Sequence, residues 1–136
     1  MPGNFGIVIN WSAVPVNDAE LQRRLKSATL YHAGGTLAPG DDRALVEQLG
    51  GQPGEHDVAI IVKAWEPPLM EFVDFVRALR SAIGDGRMIM VLPVRMDDPQ
   101  GPGTGDPAQL QIWRRRLASV GDPWLRVDAF HELVSA

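Results

Sequence analysis

The sequence predicts an α/β domain, a three-layer α/β/α sandwich built on a five-stranded parallel sheet ordered 2-1-3-4-5. Three observations carry this prediction. Runs such as Val58-Ala59-Ile60-Ile61-Val62 and Met88-Ile89-Met90-Val91-Leu92 are apolar on consecutive residues, the pattern of strands covered on both faces. Segments with apolar residues at helical spacing stand between such runs, so strand and helix signals alternate along the chain. Glycines and prolines fall in discrete clusters at the boundaries and do not form a low-complexity tract.

The first strand is read over Phe5 to Val14, with Gly6-Ile7-Val8-Ile9 as its buried run. Asn17 is a good N-cap, with Glu20 three residues on as the returning carboxylate, and the helix Asp18 to Lys26 carries Leu21 and Leu25 at i, i+4. Ala28 to His32 reads as the second strand, stopped by Gly34-Gly35. Asp41 caps a short helix bearing Leu45, Val46 and Leu49, which Gly50-Gly51 ends. The third strand, Asp57 to Lys63, is the clearest in the chain. Pro67-Pro68 then open a helix in which Leu69, Phe72, Val73, Val76, Leu79 and Ile83 share a face, and Gly84 closes it. The fourth strand spans Met88 to Val94, and Pro93 is expected to mark the end of its ladder. Asp97 to Gly105 reads as a mobile loop, and its Gly-rich part, Gly101 to Gly105, is either a lid over the sheet edge or a solvated connector. Asp106-Pro107 opens a helix with Leu110, Trp113, Leu117 and Val120 on one side. Trp124 to Val127 forms a fifth, shorter strand, and Ala129 to Ser135 a last helical turn or two.

With 136 residues, 45% hydrophobic and 22% charged, the chain has globular composition and the length of one domain, 1–136. The absence of cysteine excludes disulfides, a thiolate nucleophile and Cys-ligated metal. A net charge of −4 argues against sequence-independent nucleic-acid binding, so no nucleic-acid partner is expected. No apolar run approaches the roughly 18 residues of a spanning helix. Met1-Pro2-Gly3-Asn4-Phe5 also lacks the basic and apolar regions of a signal peptide, and the domain is expected to face the cytoplasm.

In parallel sheets of this order a ligand binds beyond the carboxyl ends of the strands, where strand order reverses, here between the first and third strands. The candidate ligand-binding residues are therefore Asn10, Trp11 and Ser12 after the first strand, and Lys63, Trp65 and Glu66 after the third. His32 flanks them after the second strand, and Arg95 and Asp97 after the fourth. Each has two readings. Trp11 and Trp65 form either a stacking platform for a ring or a roof over the sheet. Lys63 holds a phosphate or carboxylate, or else snorkels to solvent or pairs with Glu66. His32 is a base oriented by Asp97 or Asp98, or a hydrogen-bonded turn residue. Arg114-Arg115-Arg116, the one basic run, fans across about 200° of a helix and is either a solvated surface or a protein or headgroup contact.

No catalytic residue, metal or cofactor is assigned. The place of a P-loop after the first strand holds Trp11-Ser12-Ala13-Val14-Pro15-Val16-Asn17, without glycine or lysine. The dinucleotide fingerprint G-x-G-x-x-G is absent there too, and no G-x-S-x-G elbow occurs in the chain. His32, His56 and His131 have no metal-ligand spacing.

The layout resembles the core of a small GTPase without its phosphate-binding parts. Asp57 to Val62 looks like the central strand of such a protein, and Met88 to Val94 like the strand preceding its guanine-reading motif. Val94-Arg95-Met96-Asp97 stands where N-K-x-D belongs, and His32-Ala33-Gly34-Gly35 where D-x-x-G belongs, so GTP hydrolysis is not carried over. A second resemblance covers about half of the chain: Val62-Lys63-Ala64-Trp65-Glu66-Pro67-Pro68, Phe72 to Arg80, Trp113 to Leu117 and Gly121-Asp122-Pro123-Trp124. These stretches are similar to the carboxyl-terminal domain of an uncharacterised bacterial family. Its longer members look membrane-anchored and are encoded beside a GTPase-like protein. That resemblance implies a domain excised from a longer, membrane-associated protein, with a GTPase-like partner. The leading expectation is thus a non-catalytic regulatory or interaction module. The competing one is an enzyme or sensor that holds a small anionic ligand at the Trp11–Lys63–Trp65–Arg95 edge.

Overall fold

The computed structural model describes residues 5–11, 29–33, 41–50, 57–63, 70–95, 103–104 and 107–128. In chain order these form β1 (Phe5–Trp11), β2 (Thr29–Ala33), α1 (Asp41–Gly50), β3 (Asp57–Lys63), α2 (Met70–Ile83), β4 (Ile89–Arg95), β5 (Gly103–Thr104), α3 (Pro107–Leu117), a 3-10 turn (Ala118–Val120) and β6 (Leu125–Val127). The predicted helix Asp18–Lys26, the extension of the first strand to Val14 and the tail turn Ala129–Ser135 lie outside the described residues.

Five strands are parallel and run β2-β1-β3-β4-β6 across the sheet, the predicted order, with β6 as the fifth strand. The two-residue β5 is an addition. It pairs antiparallel with the end of β4, Val94 opposite Thr104 and Arg95 opposite Gly103. The segment read as a mobile loop is therefore pinned to the sheet at Gly103–Thr104.

Alternation along the strands divides the side chains between two faces. Ile7 and Ile9 of β1, Val58, Ile60 and Val62 of β3, Ile89 and Val91 of β4 and Val127 of β6 meet Phe72, Val76 and Leu79 of α2, Leu45 and Leu49 of α1, and Trp113 and Leu117 of α3 in one core. The three described helices thus lie on the same face. This follows from handedness: the crossovers β2→β3, β3→β4 and β4→β6 all step in one direction across the sheet, and a right-handed connection puts all their helices on one side. The other face is buried as well. Val8, Ala59, Ile61, Leu92 and Val94 are fully excluded from solvent, as expected of strands whose two faces are both apolar.

Helix α2 forms because Phe72, Val73, Phe75, Val76, Leu79 and Ile83 recur at helical spacing, with Glu71 in its first turn and Arg80 in its last, both favourable to the helix dipole. Gly84, at φ +85°, takes the left-handed conformation that ends the helix, and its N–H donates to the Arg80 carbonyl (2.9 Å).

Pro93 does not end the ladder. Val62 pairs with Pro93 and Lys63 with Val94, and β4 continues to Arg95. In β4 the odd residues direct their backbone groups away from β3: Ile89 N–H donates to Trp124 O (2.9 Å), and Val91 O accepts from Asp128 N–H (3.0 Å). The donor missing at Pro93 would point the same way, just past Val127, the last residue of β6. A proline is tolerated in this central strand because its bare nitrogen faces a position where the neighbouring strand has ended.

Candidate functional site

The reversal of strand order falls at β1, which has β2 on one side and β3 on the other. The candidate residues within the described segments are Asn10, Trp11, His32, Lys63 and the backbone of Arg95. Ser12, Trp65, Glu66 and Asp97 lie outside the described residues.

Strand alternation separates this set. Asn10 lies level with His32 on β2 and with Ile61 on β3, and Lys63 follows Ile61 by one side-chain repeat. Asn10, His32 and Lys63 therefore share the face opposite the described helices, spread over three adjacent strands about 4.8 Å apart. Asn10 is only 1% exposed, a polar residue buried among the apolar strands. A buried amide persists only when its hydrogen-bonding groups are engaged, and Asn10, His32 and Lys63 each hold at least one interaction. His32 is exposed and Lys63 half-buried.

Trp11 belongs to the other face. Its ring meets Phe72 edge-on at 5.2 Å and 78°, and Phe75 at 4.9 Å and 41°. Phe72 in turn meets Trp113 of α3 edge-on at 5.6 Å. Four aromatic side chains thus join the end of β1 to α2 and α3, each favourable pair contributing about 0.5–1.5 kcal/mol beyond its area. Trp11 is half-buried and its ring is held in this cluster.

Arg114, Arg115 and Arg116 are all exposed on α3. Arg114 Nε donates to the Val127 carbonyl (3.1 Å), so the first of the three is tied to β6. Among the described residues no group of three or more His, Asp or Glu side chains is placed to hold a metal, and no helix is long and apolar enough to cross a membrane.

The strongest polar arrangement in the described residues is one that sequence reasoning did not single out. Arg80, near the end of α2, donates from Nε to Asp122 Oδ2 at 2.7 Å and from Nη1 to Gly84 O at 2.8 Å. Asp122 Oδ1 accepts from Trp124 N–H at 2.9 Å, and the Arg80 guanidinium lies 5.5 Å from the centre of the Trp124 ring. Gly121, at φ +73°, makes the turn that presents Asp122. The sequence signal was Gly121-Asp122-Pro123, legible as a turn but silent about a partner 42 residues away.

The described fold defines an α/β domain with a doubly covered parallel sheet, its reversal point at β1 and an aromatic cluster beneath the end of that strand. Over residues 6–122 the chain matches the family model described as Protein of unknown function (DUF2868), and it belongs to that family. No curated protein and no solved structure matches it.

Proposed function

We propose that this chain is a non-catalytic regulatory or protein-interaction module on a GTPase-like, Rossmann-like layout that has no nucleotide-binding motifs. Its partner in this reading is a GTPase-like protein, and its parent is a longer, membrane-anchored protein. The observation that carries the reading is the engagement of Trp11. A stacking platform needs a free ring face, whereas Trp11 spends its ring on Phe72 and Phe75 and contributes to the core.

A second reading has one observation in its favour. Asn10, His32 and Lys63 share a face on three adjacent strands at the carboxyl end of the sheet, which suits a small anionic ligand or nucleotide, with or without catalysis. A thermal-shift screen of nucleotides and phosphorylated metabolites separates the two. A ligand that binds only the folded state adds about 2.7 kcal/mol at 100 times its Kd, a rise in Tm on the order of 10 °C for a chain of this length. The interaction reading predicts no such rise. A rise that Lys63→Ala abolishes would establish the ligand reading in its place.

A further inference from the structure

Between α3 and β6 lies a cleft of about 600 Å³, lined among others by Arg114, Leu117, Pro123, Leu125, Arg126 and Asp128. We propose that this cleft is the docking site for an acidic, extended segment of a partner protein. The inference rests on the interaction-module reading and names the surface and the chemistry of the contact.

Charge is the first argument. Arg114 and Arg126 line the cleft, and Arg115 and Arg116 are exposed on the same turn of α3 as Arg114. Asp122 also lines the cleft, but its carboxylate is 4% exposed and already neutralised by Arg80 at 2.7 Å. Among the described residues lining the cleft, Asp128 is the one carboxylate left to offset the arginines. A chain of net charge −4 thus carries a local excess of positive charge here, within about one Debye length. An acidic partner complements it.

Geometry is the second argument. Arg114 is fixed through Nε on the Val127 carbonyl at 3.1 Å, and its side chain is 43% exposed. Its approach to Asp128, Nη2 to Oδ1 at 3.9 Å, is an ion pair too long for a hydrogen bond. A carboxylate entering the cleft can hydrogen-bond the terminal nitrogens that Asp128 meets only at ion-pair distance.

The lining also selects the class of partner. It mixes Leu117, Pro123 and Leu125 with the arginines, so an occupant that brings apolar groups beside acidic ones fits it better than free phosphate does. Because the interaction-module reading makes the partner a protein, a bilayer surface is the alternative that the vesicle arm tests.

The test is a 15N amide-shift titration of the whole chain with a ten-residue synthetic peptide of glutamate, leucine and serine. Inorganic phosphate and vesicles of phosphatidylglycerol are run in parallel. Docking predicts saturable shifts confined to residues 114–128. Arg126→Glu, a change at an exposed side chain, weakens the peptide at least tenfold, and Arg114→Glu with Arg126→Glu weakens it further. Arg77→Glu, an exposed change on α2, leaves it unaltered. Shifts scattered over all exposed arginines, full affinity in Arg126→Glu, or binding of phosphate or vesicles without the peptide would each overturn the proposal. Those failures concern this face alone: the interaction-module reading falls only if Lys63-dependent ligand binding appears in the thermal screen.

Discussion

Asp122→Ala is expected to lose about 3–5 kcal/mol of folding stability, the range for leaving one member of a buried ion pair without its partner. The Arg80 side chain is 13% exposed and the Asp122 side chain 4%, so neither is rehydrated freely when the other is removed. Arg80 Nη2 is already buried without a hydrogen-bond partner, and after the substitution the guanidinium would keep only its bond to Gly84 O. The same change removes the acceptor for Trp124 N–H and frees the turn that leads into β6. Urea denaturation reads the loss as a lower midpoint at unchanged slope. Arg80→Leu combined with Asp122→Asn should recover part of it, because both charges then leave together. A loss below about 1 kcal/mol for Asp122→Ala, the value of an exposed pair, would show that solvent screens this contact.

Phe72→Ala is the second large effect, with an expected loss of about 3–5 kcal/mol. Phe72 is 2% exposed and lies between Trp11 and Trp113, so its removal opens a cavity where β1, α2 and α3 converge. Near-UV circular dichroism should change with it, since the two tryptophans lose their common neighbour. Trp11→Ala should cost less, because Trp11 is only half-buried. If Trp11→Ala left stability unaltered while Phe72→Ala did not, Trp11 would not be part of the core, and the argument drawn from its packing would fail.

The sheet was legible because its signals are local. Val58 to Val62 and Ile89 to Leu92 announce doubly buried strands without reference to any other part of the chain, and the order 2-1-3-4-5 with its reversal at β1 follows from connection rules. Pro93 misled, because a proline weakens a ladder only where its nitrogen faces a neighbour. That direction depends on where β6 ends, a fact of tertiary structure. The two-residue β5 was illegible for a similar reason, since glycine disfavours a strand and one threonine makes no pattern, so the pairing with Val94–Arg95 defines it. For the site, the sequence placed Asn10, Trp11, His32 and Lys63 at strand ends but not on faces. A strand apolar on both sides carries no mark of which parity meets the helices, and this parity divides Trp11 from the other three. Arg80 and Asp122 lacked any shared signal: each alone reads as an ordinary surface charge.

In the reading proposed above, this chain binds a protein and not a small ligand. Calorimetric titration with a GTPase-like protein, the class of partner proposed above, tests it most directly. The claim predicts saturable one-to-one binding that Lys63→Ala leaves intact. Absence of binding to that protein, together with saturable binding of a nucleotide or phosphorylated metabolite that Lys63→Ala abolishes, would contradict it.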